Sequence, residues 1–201
     1  MTQVSYTRGA GRFENYLSDL RSKAANQHIL DQHRSGRVLD IGCGAYPNFL
    51  CHTEFKEKFG LDKLPTDQTN VQGVQLSNFD LETQTNLPFP DDSLDTVTML
   101  AVFEHIEPAK LPTVLKEIYR VLKPGGQFIL TTPTIWTNAL LKYLAMAGLV
   151  SKEEIEEHKD AYTPKRISSA LCHAGFDKEK LKTKYFELGM NILASAFKNY
   201  A

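Results

Sequence analysis

Residues 38–47 read Val38-Leu39-Asp40-Ile41-Gly42-Cys43-Gly44-Ala45-Tyr46-Pro47. An apolar run that contains one acid and is followed by two glycines is typical of a buried strand that ends in a tight turn. The glycines allow the backbone to pass close to a bound molecule. A glycine turn after the first strand is a common ligand site in sheets with helices on both faces. The segment therefore predicts an α/β fold with a ligand at this turn.

The same turn departs from the fingerprint for nicotinamide dinucleotides. That fingerprint has a third glycine three residues after the second, and Pro47 occupies that position here. It also gives no reason for an acid at position 40, directly before the turn. An aspartate there suits a ligand with a cationic or hydrogen-bond-donating group. An oxidoreductase that uses a nicotinamide dinucleotide is therefore a disfavoured alternative.

Length and composition favour a single globular domain. The chain has 201 residues, of which 42% are hydrophobic and 23% are charged, and a chain of this size can bury a core. The formal net charge of −1 argues against a nucleic-acid partner, because phosphate-binding surfaces are basic. Three cysteines without C-x-x-C spacing predict neither a disulfide framework nor a metal site. Without a signal-peptide pattern or a long apolar run, we expect a cytoplasmic protein with no membrane span.

Strand patterns and helix patterns alternate along the first two thirds of the chain. Predicted strands cover Arg37–Ile41, Phe59–Asp62, Val71–Phe79, Thr96–Val102 and Gln127–Thr132. Predicted helices cover residues 13–34, a stretch from Pro47 onward, and Leu111–Leu122, which ends at Lys123-Pro124-Gly125-Gly126. This alternation indicates a mostly parallel sheet with helices on both faces.

The pattern changes after the fifth strand. Residues 134–162 have the pattern of an apolar helix and then a charged one, which we interpret as a lid over the ligand-binding edge of the sheet. A helix over 164–174 and two strands, 181–188 and 191–197, follow, and the two strands predict a C-terminal antiparallel hairpin. We expect one α/β domain over 1–201 with a seven-stranded sheet and an N-terminal helical segment over 1–35.

Acids occur at the carboxyl ends of successive predicted strands, where open α/β sheets bind ligands. Asp40 precedes the glycines, Asp62 ends the second strand and Asp80 follows the third. Asp62 lies 18 residues after Gly44, close to the spacing at which an acid binds a ribose diol. Asp80 suits an adenine amino group. One such aspartate is equally well explained as a cap or turn residue, but three in order favour a ligand-binding role.

Three further motifs accompany residues 38–44. They are Leu87-Pro88-Phe89 through Ser93-Leu94-Asp95-Thr96-Val97, Glu104-His105-Ile106, and Arg120-Val121-Leu122-Lys123-Pro124-Gly125-Gly126. With them the chain resembles the class I S-adenosylmethionine-dependent methyltransferases of the small-molecule (type 11) group, which includes enzymes of ubiquinone and menaquinone biosynthesis. The resemblance is strong over about residues 36–132 and looser elsewhere. It implies a Rossmann-like fold and S-adenosylmethionine as cofactor, whose ammonium and sulfonium groups suit Asp40.

The resemblance also implies roles for individual residues. The glycine turn cradles the methionine part of the cofactor, Asp62 binds the ribose hydroxyls, and Asp80 and Leu81 bracket the adenine. Two positions depart from the family pattern. Tyr46 replaces a frequent third glycine, and Lys63 stands where an apolar residue often packs on adenine, so that its aliphatic stem has to serve instead. The expected cofactor-binding residues are Asp40, Gly42, Cys43, Gly44, Asp62, Lys63, Asp80, Leu81, Leu100, Ala101 and Phe103.

Methyl transfer from a sulfonium is an in-line displacement, which an enzyme accelerates chiefly by aligning the acceptor, the methyl group and the leaving sulfur. An acceptor that carries a proton also needs a base. His105, directly after the fourth strand, is the first candidate, and a packing role is its alternative. His158 and Tyr162, near the end of the lid, are further candidates.

The acceptor itself is less well specified. No Asn/Asp-Pro-Pro-Tyr motif follows the fourth strand, which argues against nucleobase and protein-amide acceptors. Apolar residues of the lid, with Trp136, favour a hydrophobic or lipid-linked small molecule, although a helix that packs on the core explains them too. A methyltransferase-like binding protein without catalysis is a second function hypothesis, because the acids indicate cofactor binding and not turnover. The methylated atom and the oligomeric state stay open.

Overall fold

The computed structural model describes residues 12–63, 70–84, 86–137 and 162–200. Its strands are β1 (Arg37–Ile41), β2 (Glu57–Asp62), β3 (Asn70–Val71), β4 (Val74–Asn78), β5 (Leu94–Leu100), β6 (Leu122–Pro133), β7 (Lys182–Phe186) and β8 (Asn191–Phe197). Within the described ranges these strands form one sheet in the order β3-β4-β2-β1-β5-β6-β8-β7. The five strands from β4 to β6 in this order are parallel, whereas β3, β8 and β7 pair antiparallel with their neighbours.

Helices cover both faces of the sheet. They are α1 (Arg12–Asn26), α2 (Asn48–Cys51), α3 (Leu111–Val121) and α4 (Pro164–His173), with short 3-10 helices at Asp31–His33 and Phe103–His105. Successive strand residues point to opposite faces. Accordingly, Val38 packs in the core under α1 and α2, and Leu39 packs in the core under α3 and α4. The predicted α/β class, with a mostly parallel sheet and a C-terminal hairpin, is confirmed.

The strand order places the ligand crevice between β1 and β5. The chain passes from β1 outward to β2 and β4, and then returns to form β5 on the other side of β1. The strand order therefore reverses at this point, and open α/β sheets bind their ligands beyond the carboxyl ends of the strands at such a reversal. The glycine turn directly follows β1 and so lies in this crevice.

Two elements differ from their predicted extents because of tertiary bonds. The helix expected over 13–34 ends at Asn26, because buried Gln127 donates to the His28 carbonyl (2.7 Å) and accepts the Leu30 N–H (3.3 Å). The strand expected at 127–132 begins at Leu122, since Leu122 pairs with Leu94 at the start of β5. Neither pairing leaves a local signal in the sequence.

The sheet has eight described strands where seven were expected. The predicted strand over 71–79 is in fact the hairpin of β3 and β4, which turns at Gln72 and Gly73 with φ of 50° and 79°. Of the predicted lid, 138–161 lies outside the described residues, as does the N-terminal stretch 1–11. No helix in the described part of the chain is long and apolar enough to cross a membrane.

Candidate active site

The turn after β1 has a backbone that requires glycine. Gly42 and Gly44 adopt φ of 76° and 75°, a region that side chains other than glycine rarely enter. A Cβ on Gly42 would lie 2.2 Å from Cγ2 of Val102, which follows β5. The Leu61 carbonyl on β2 accepts the N–H of Gly42 at 2.7 Å. The turn is therefore held from β2 and closed against Val102, and glycine alone fits at position 42.

Asp62 is bonded to this turn. The Gly44 N–H donates to Oδ2 of Asp62 at 2.8 Å. This bond fixes the Asp62 carboxylate against the turn. The end of β2 and the glycine turn thus form one unit, as expected for a site that binds a nucleoside.

Asp40 lies beneath the turn and is 4% exposed. Burial raises the pKa of its carboxyl to about 7, and the charge of Asp62 adds to the rise. A hydrogen bond that Thr98 Oγ1 donates at 2.6 Å opposes the rise by stabilising the carboxylate. Among the described residues, none of the groups that act on the pKa of Asp40 is a cation, and a buried carboxylate in such surroundings suits a cationic ligand. Thr98 was not singled out in the sequence, where a threonine in a strand is typical of β structure.

Two other expected cofactor residues differ in exposure. Cys43 is buried, and its Sγ would lie 2.7 Å from a Cβ on Gly60 of β2. Burial, together with the charges of Asp40 and Asp62, raises the pKa of the Cys43 thiol, so Cys43 fills space beneath the turn as an unreactive thiol. Lys63 is exposed at the end of β2, and its carbonyl accepts the Asn78 side-chain amide at 3.0 Å.

Asp80 and Leu81 follow β4 at the same edge of the sheet. Oδ1 of Asp80 accepts the Glu82 N–H at 2.9 Å, which makes a local turn. Leu81 is half-buried against the core. The turn role offered by the sequence as an alternative is therefore present, and contact of Asp80 with adenine stays a prediction.

Three further expected cofactor residues lie at the end of β5 or directly after it. Ala101 has φ of 56°, and its N–H donates to the Thr131 carbonyl on β6 at 3.0 Å. Leu100 is half-buried beside it. Phe103, however, is fully buried, and its ring contacts Tyr162 with centroids 4.7 Å apart. The side chain of Phe103 thus packs in the core, and contact of Phe103 with the cofactor stays a prediction.

The three proposed catalytic residues have different positions. His105 is half-buried in the 3-10 helix after β5. Tyr162 is 3% exposed between Phe103 and the guanidinium of Arg166, which lies 5.3 Å from its ring centroid. Tyr162 thus packs beside the helix that carries His105. His158 lies outside the described residues.

A polar cluster that the sequence analysis missed lies beyond β5 and β6. We call Arg21, Glu104, Thr132, Glu187 and Asn191 the edge cluster. Glu104 is 2% exposed and accepts a 3.0 Å bond from Thr132, and Asn191 donates to Glu187. Burial raises the pKa of both glutamates, and the positive charge of Arg21 acts against the rise at each. Of these five residues, only Glu104 belongs to a motif that the sequence analysis singled out, Glu104-His105-Ile106.

No group of three metal-ligating side chains occurs among the residues that the structure describes. The acids at the ends of β1, β2 and β4 and the glycine turn lie instead at one edge of the sheet, where carboxylates can accept hydrogen bonds from a cationic group and a diol.

Comparison with known proteins agrees with this geometry. Residues 39–130 match the family model described as a methyltransferase domain. The uncharacterized methyltransferase YcgJ of Bacillus subtilis is 34% identical over 101 residues, 47% of this chain and 39% of that protein. A demethylmenaquinone methyltransferase of Geobacillus is 32% identical over 110 residues (50% and 46%). The tRNA N(3)-cytidine methyltransferase METTL2 of Gallus gallus is 27% identical over 143 residues (64% and 39%). The chain spans less than half the length of each of these relatives.

The fold itself is that of a known enzyme class. A SAM-dependent methyltransferase from Archaeoglobus fulgidus superposes with a TM-score of 0.66 at 19% identity, over 94% of this chain and 95% of that one. The chain has the class I methyltransferase fold. Residues 39–130 are similar to the methyltransferase domain of the matched family, and the resemblance drawn from the motifs is confirmed. S-adenosylmethionine is the cofactor that this family implies.

Proposed function

We propose that the chain is an S-adenosylmethionine-dependent methyltransferase that acts on a hydrophobic or lipid-linked small molecule. The observation that carries the proposal is the unit of the glycine turn and Asp62, in which Gly42 has no room for a Cβ and Gly44 is bonded to the acid. This unit presents backbone beside a carboxylate, as a nucleoside with a cationic tail requires.

The residues present fit the cofactor. The methionine part lies at the glycine turn over Asp40, the ribose at Asp62, and the adenine toward Asp80 and Leu81. When bound, the cofactor supplies an electrophilic methyl group on a sulfonium. The chain supplies the alignment, and each of these side chains belongs to the turn or to the end of a strand of the rigid sheet.

The acceptor must approach from the half of the edge that the cofactor does not occupy. If the cofactor spans β1, β2 and β4, this half lies beyond β5 and β6, where His105 and the edge cluster are found. We retain His105 as the base for an acceptor that carries a proton, with His158 and Tyr162 as further candidates. Glu104 lies next to His105, and its buried carboxyl influences the charge of this region.

An exposed apolar group next to the acceptor side supports a hydrophobic substrate. Ile135 and Trp136 are about half exposed, and Leu188 is 97% exposed. Trp136 Nε1 donates to the Gly189 carbonyl at 3.0 Å, which holds the Trp136 side chain near the turn between β7 and β8. Exposed apolar groups of this kind often mark binding surfaces. A net charge of −1 disfavours an RNA acceptor, because phosphate-binding surfaces are basic.

Calorimetry with S-adenosylmethionine, S-adenosylhomocysteine and NAD tests the cofactor. We expect the first two to bind, and Asp62→Ala to weaken S-adenosylhomocysteine binding by about 1.5–3 kcal/mol, as for a lost charge-assisted bond. Glu54→Gln, at an exposed site away from the turn, is the matched control. Binding of NAD alone would support an oxidoreductase. An unchanged dissociation constant with a lowered melting temperature for Asp62→Ala would show that Asp62 only holds the turn.

Transfer of labelled methyl groups tests the acceptor. The wild-type protein is incubated separately with an organic extract, an aqueous metabolite extract and bulk tRNA. We expect incorporation into the organic extract. Incorporation into tRNA alone would refute the small-molecule acceptor, and cofactor binding without any incorporation would favour a binding protein without catalysis.

A further inference from the structure

A buried hydroxyl lies next to the Asp40 carboxyl. Thr98 on β5 is in register with Asp40 on β1, and its Oγ1 donates to Oδ1 of Asp40 at 2.6 Å. Thr98 is fully buried and Asp40 nearly so. Hydrogen bonds from a hydroxyl to a carboxylate are short and about twice as strong as bonds between neutral groups. The hydroxyl therefore favours the ionised form of Asp40 from within the sheet.

The hydroxyl proton of Thr98 has a second acceptor within reach. The Leu39 carbonyl lies 3.4 Å from Oγ1, against 2.6 Å for Asp40. A hydroxyl donates one proton, and the shorter contact to the charged group is favoured. Donation to Asp40 fixes one carboxylate oxygen against β5.

The other surroundings of Asp40 act against its ionisation. On the β2 side its partner in register is Gly60, and the space over Gly60 is filled by Cys43 and Leu76. Asp62, at the end of β2, carries a charge of the same sign. Among the described neighbours whose effect on Asp40 is resolved, Thr98 is thus the one that stabilises the carboxylate.

We propose that Thr98 is a positioning residue for cofactor binding, which keeps the Asp40 carboxylate ionised and fixed for the ammonium group at the glycine turn. This inference rests on the proposed function, because it takes S-adenosylmethionine or its product as the ligand. Thr98 acts through Asp40 and does not itself contact the cofactor.

A pH dependence of binding follows. Because the carboxylate form binds the ammonium group, affinity for S-adenosylhomocysteine is highest above the pKa of Asp40, which is about 7. Affinity falls by up to about tenfold for each pH unit below it. Loss of the Thr98 hydroxyl removes a bond to the carboxylate, which raises the pKa of Asp40 further and moves the fall in affinity to higher pH.

Calorimetric titration with S-adenosylhomocysteine from pH 5.5 to 8.5 tests the proposal. We expect Thr98→Val to move the midpoint of the profile upward by about one pH unit, so that binding at pH 7 is about fivefold weaker and the curves converge at high pH. Thr98→Ser keeps the hydroxyl and should restore the wild-type profile. Thr96→Val is the matched control, because Thr96 is also fully buried on β5 but its hydroxyl contacts His33.

Two results would overturn the role of Thr98 and leave the proposed function intact. Identical profiles for wild type and Thr98→Val would show that the hydroxyl does not act on Asp40. A loss of affinity by the same factor at every pH, matched by Thr96→Val, would show a purely structural effect. Failure of the wild-type protein to bind S-adenosylhomocysteine at any pH would overturn the proposed function itself and this inference with it. Binding by the wild type with an unshifted Thr98→Val profile would refute the inference alone.

Discussion

Replacement of Asp40 by asparagine should stabilise the protein in the absence of cofactor. The folded state holds the carboxyl at 4% exposure and raises its pKa from 3.8 to about 7. One pKa unit corresponds to about 1.4 kcal/mol, so ionised Asp40 lowers the free energy of unfolding by about 4 kcal/mol at pH 8. The asparagine side chain would carry no charge and would keep an oxygen that accepts the bond from Thr98.

The direction of the pKa shift of Asp40 determines the pH range in which its burial lowers stability. Below pH 3.8 the carboxyl is protonated in both the folded and the unfolded state, so burial of a charge costs nothing. Between pH 3.8 and about 7 the unfolded state releases the proton and the folded state retains it, and the cost grows with pH. The asparagine amide adds a pH-independent penalty of about 1–3 kcal/mol if one of its N–H groups lacks a partner. The prediction therefore concerns only the part of the difference in unfolding free energy that changes with pH.

Urea unfolding of the cofactor-free protein at pH 4, 6 and 8 measures this quantity. The difference in unfolding free energy between Asp40→Asn and wild type should increase by about 4 kcal/mol from pH 4 to pH 8. Glu54→Gln, at an exposed carboxyl, should show no such change. The same Asp40→Asn variant should bind S-adenosylhomocysteine more weakly. A stability difference that is constant with pH would refute the assignment of a raised pKa to Asp40.

Three further predictions address other residues. Gly42→Ala should lower stability by about 2–4 kcal/mol and abolish cofactor binding, since its Cβ would meet Val102 at 2.2 Å. Gly73→Ala, at a similar φ but in open space, should lower stability by about 1 kcal/mol in thermal unfolding. Equal losses of stability in the two variants would show that the contact with Val102 adds nothing at position 42. Burial lowers the pKa of His33 below 6.5, so its contribution to stability is complete above pH 6.5 and is lost as pH falls toward the lowered value. The melting-temperature advantage of wild type over His33→Gln should therefore shrink from pH 7 to 5, and a constant advantage would exclude a buried neutral histidine. If His105 is the base, His105→Ala should reduce methyl transfer by about 10²-fold and leave S-adenosylhomocysteine affinity unchanged. If the variant keeps wild-type rates at every pH, His105 has only a packing role.

Elements with a strong local pattern could be predicted from the sequence. The bounds of β1 and β8 agree residue by residue with the expected strands, because each is mostly apolar and has turn residues near its ends. The bond between Asp62 and Gly44 was not predicted as such. It joins two positions that were assigned to the same site from their spacing.

Contacts that depend on strand pairing could not be predicted in this way. Thr98 matters because it lies in register with Asp40, and the edge cluster joins Arg21 of α1 to Glu104 and Glu187, which are far apart in the chain. A single sequence does not specify which side chains meet across a sheet until the strand order is known. The same holds for Phe103, whose ring contacts Tyr162 in the core.

The two ends of the sheet differ in how the charges of their acids are compensated, and this difference favours the carboxyl edge as the functional edge. At the amino ends of the strands, Asp95 accepts bonds from Lys123 Nζ and from the Arg37 N–H, each at 2.8 Å, so that its charge is compensated inside the fold. At the carboxyl ends, Asp40 and Glu104 are nearly completely buried, and burial raises the pKa of both. Buried acids that the fold leaves incompletely compensated lower stability, and they are characteristic of sites whose partner is a ligand. The two buried acids that lower stability, Asp40 and Glu104, therefore lie at the edge where cofactor and acceptor are proposed to meet.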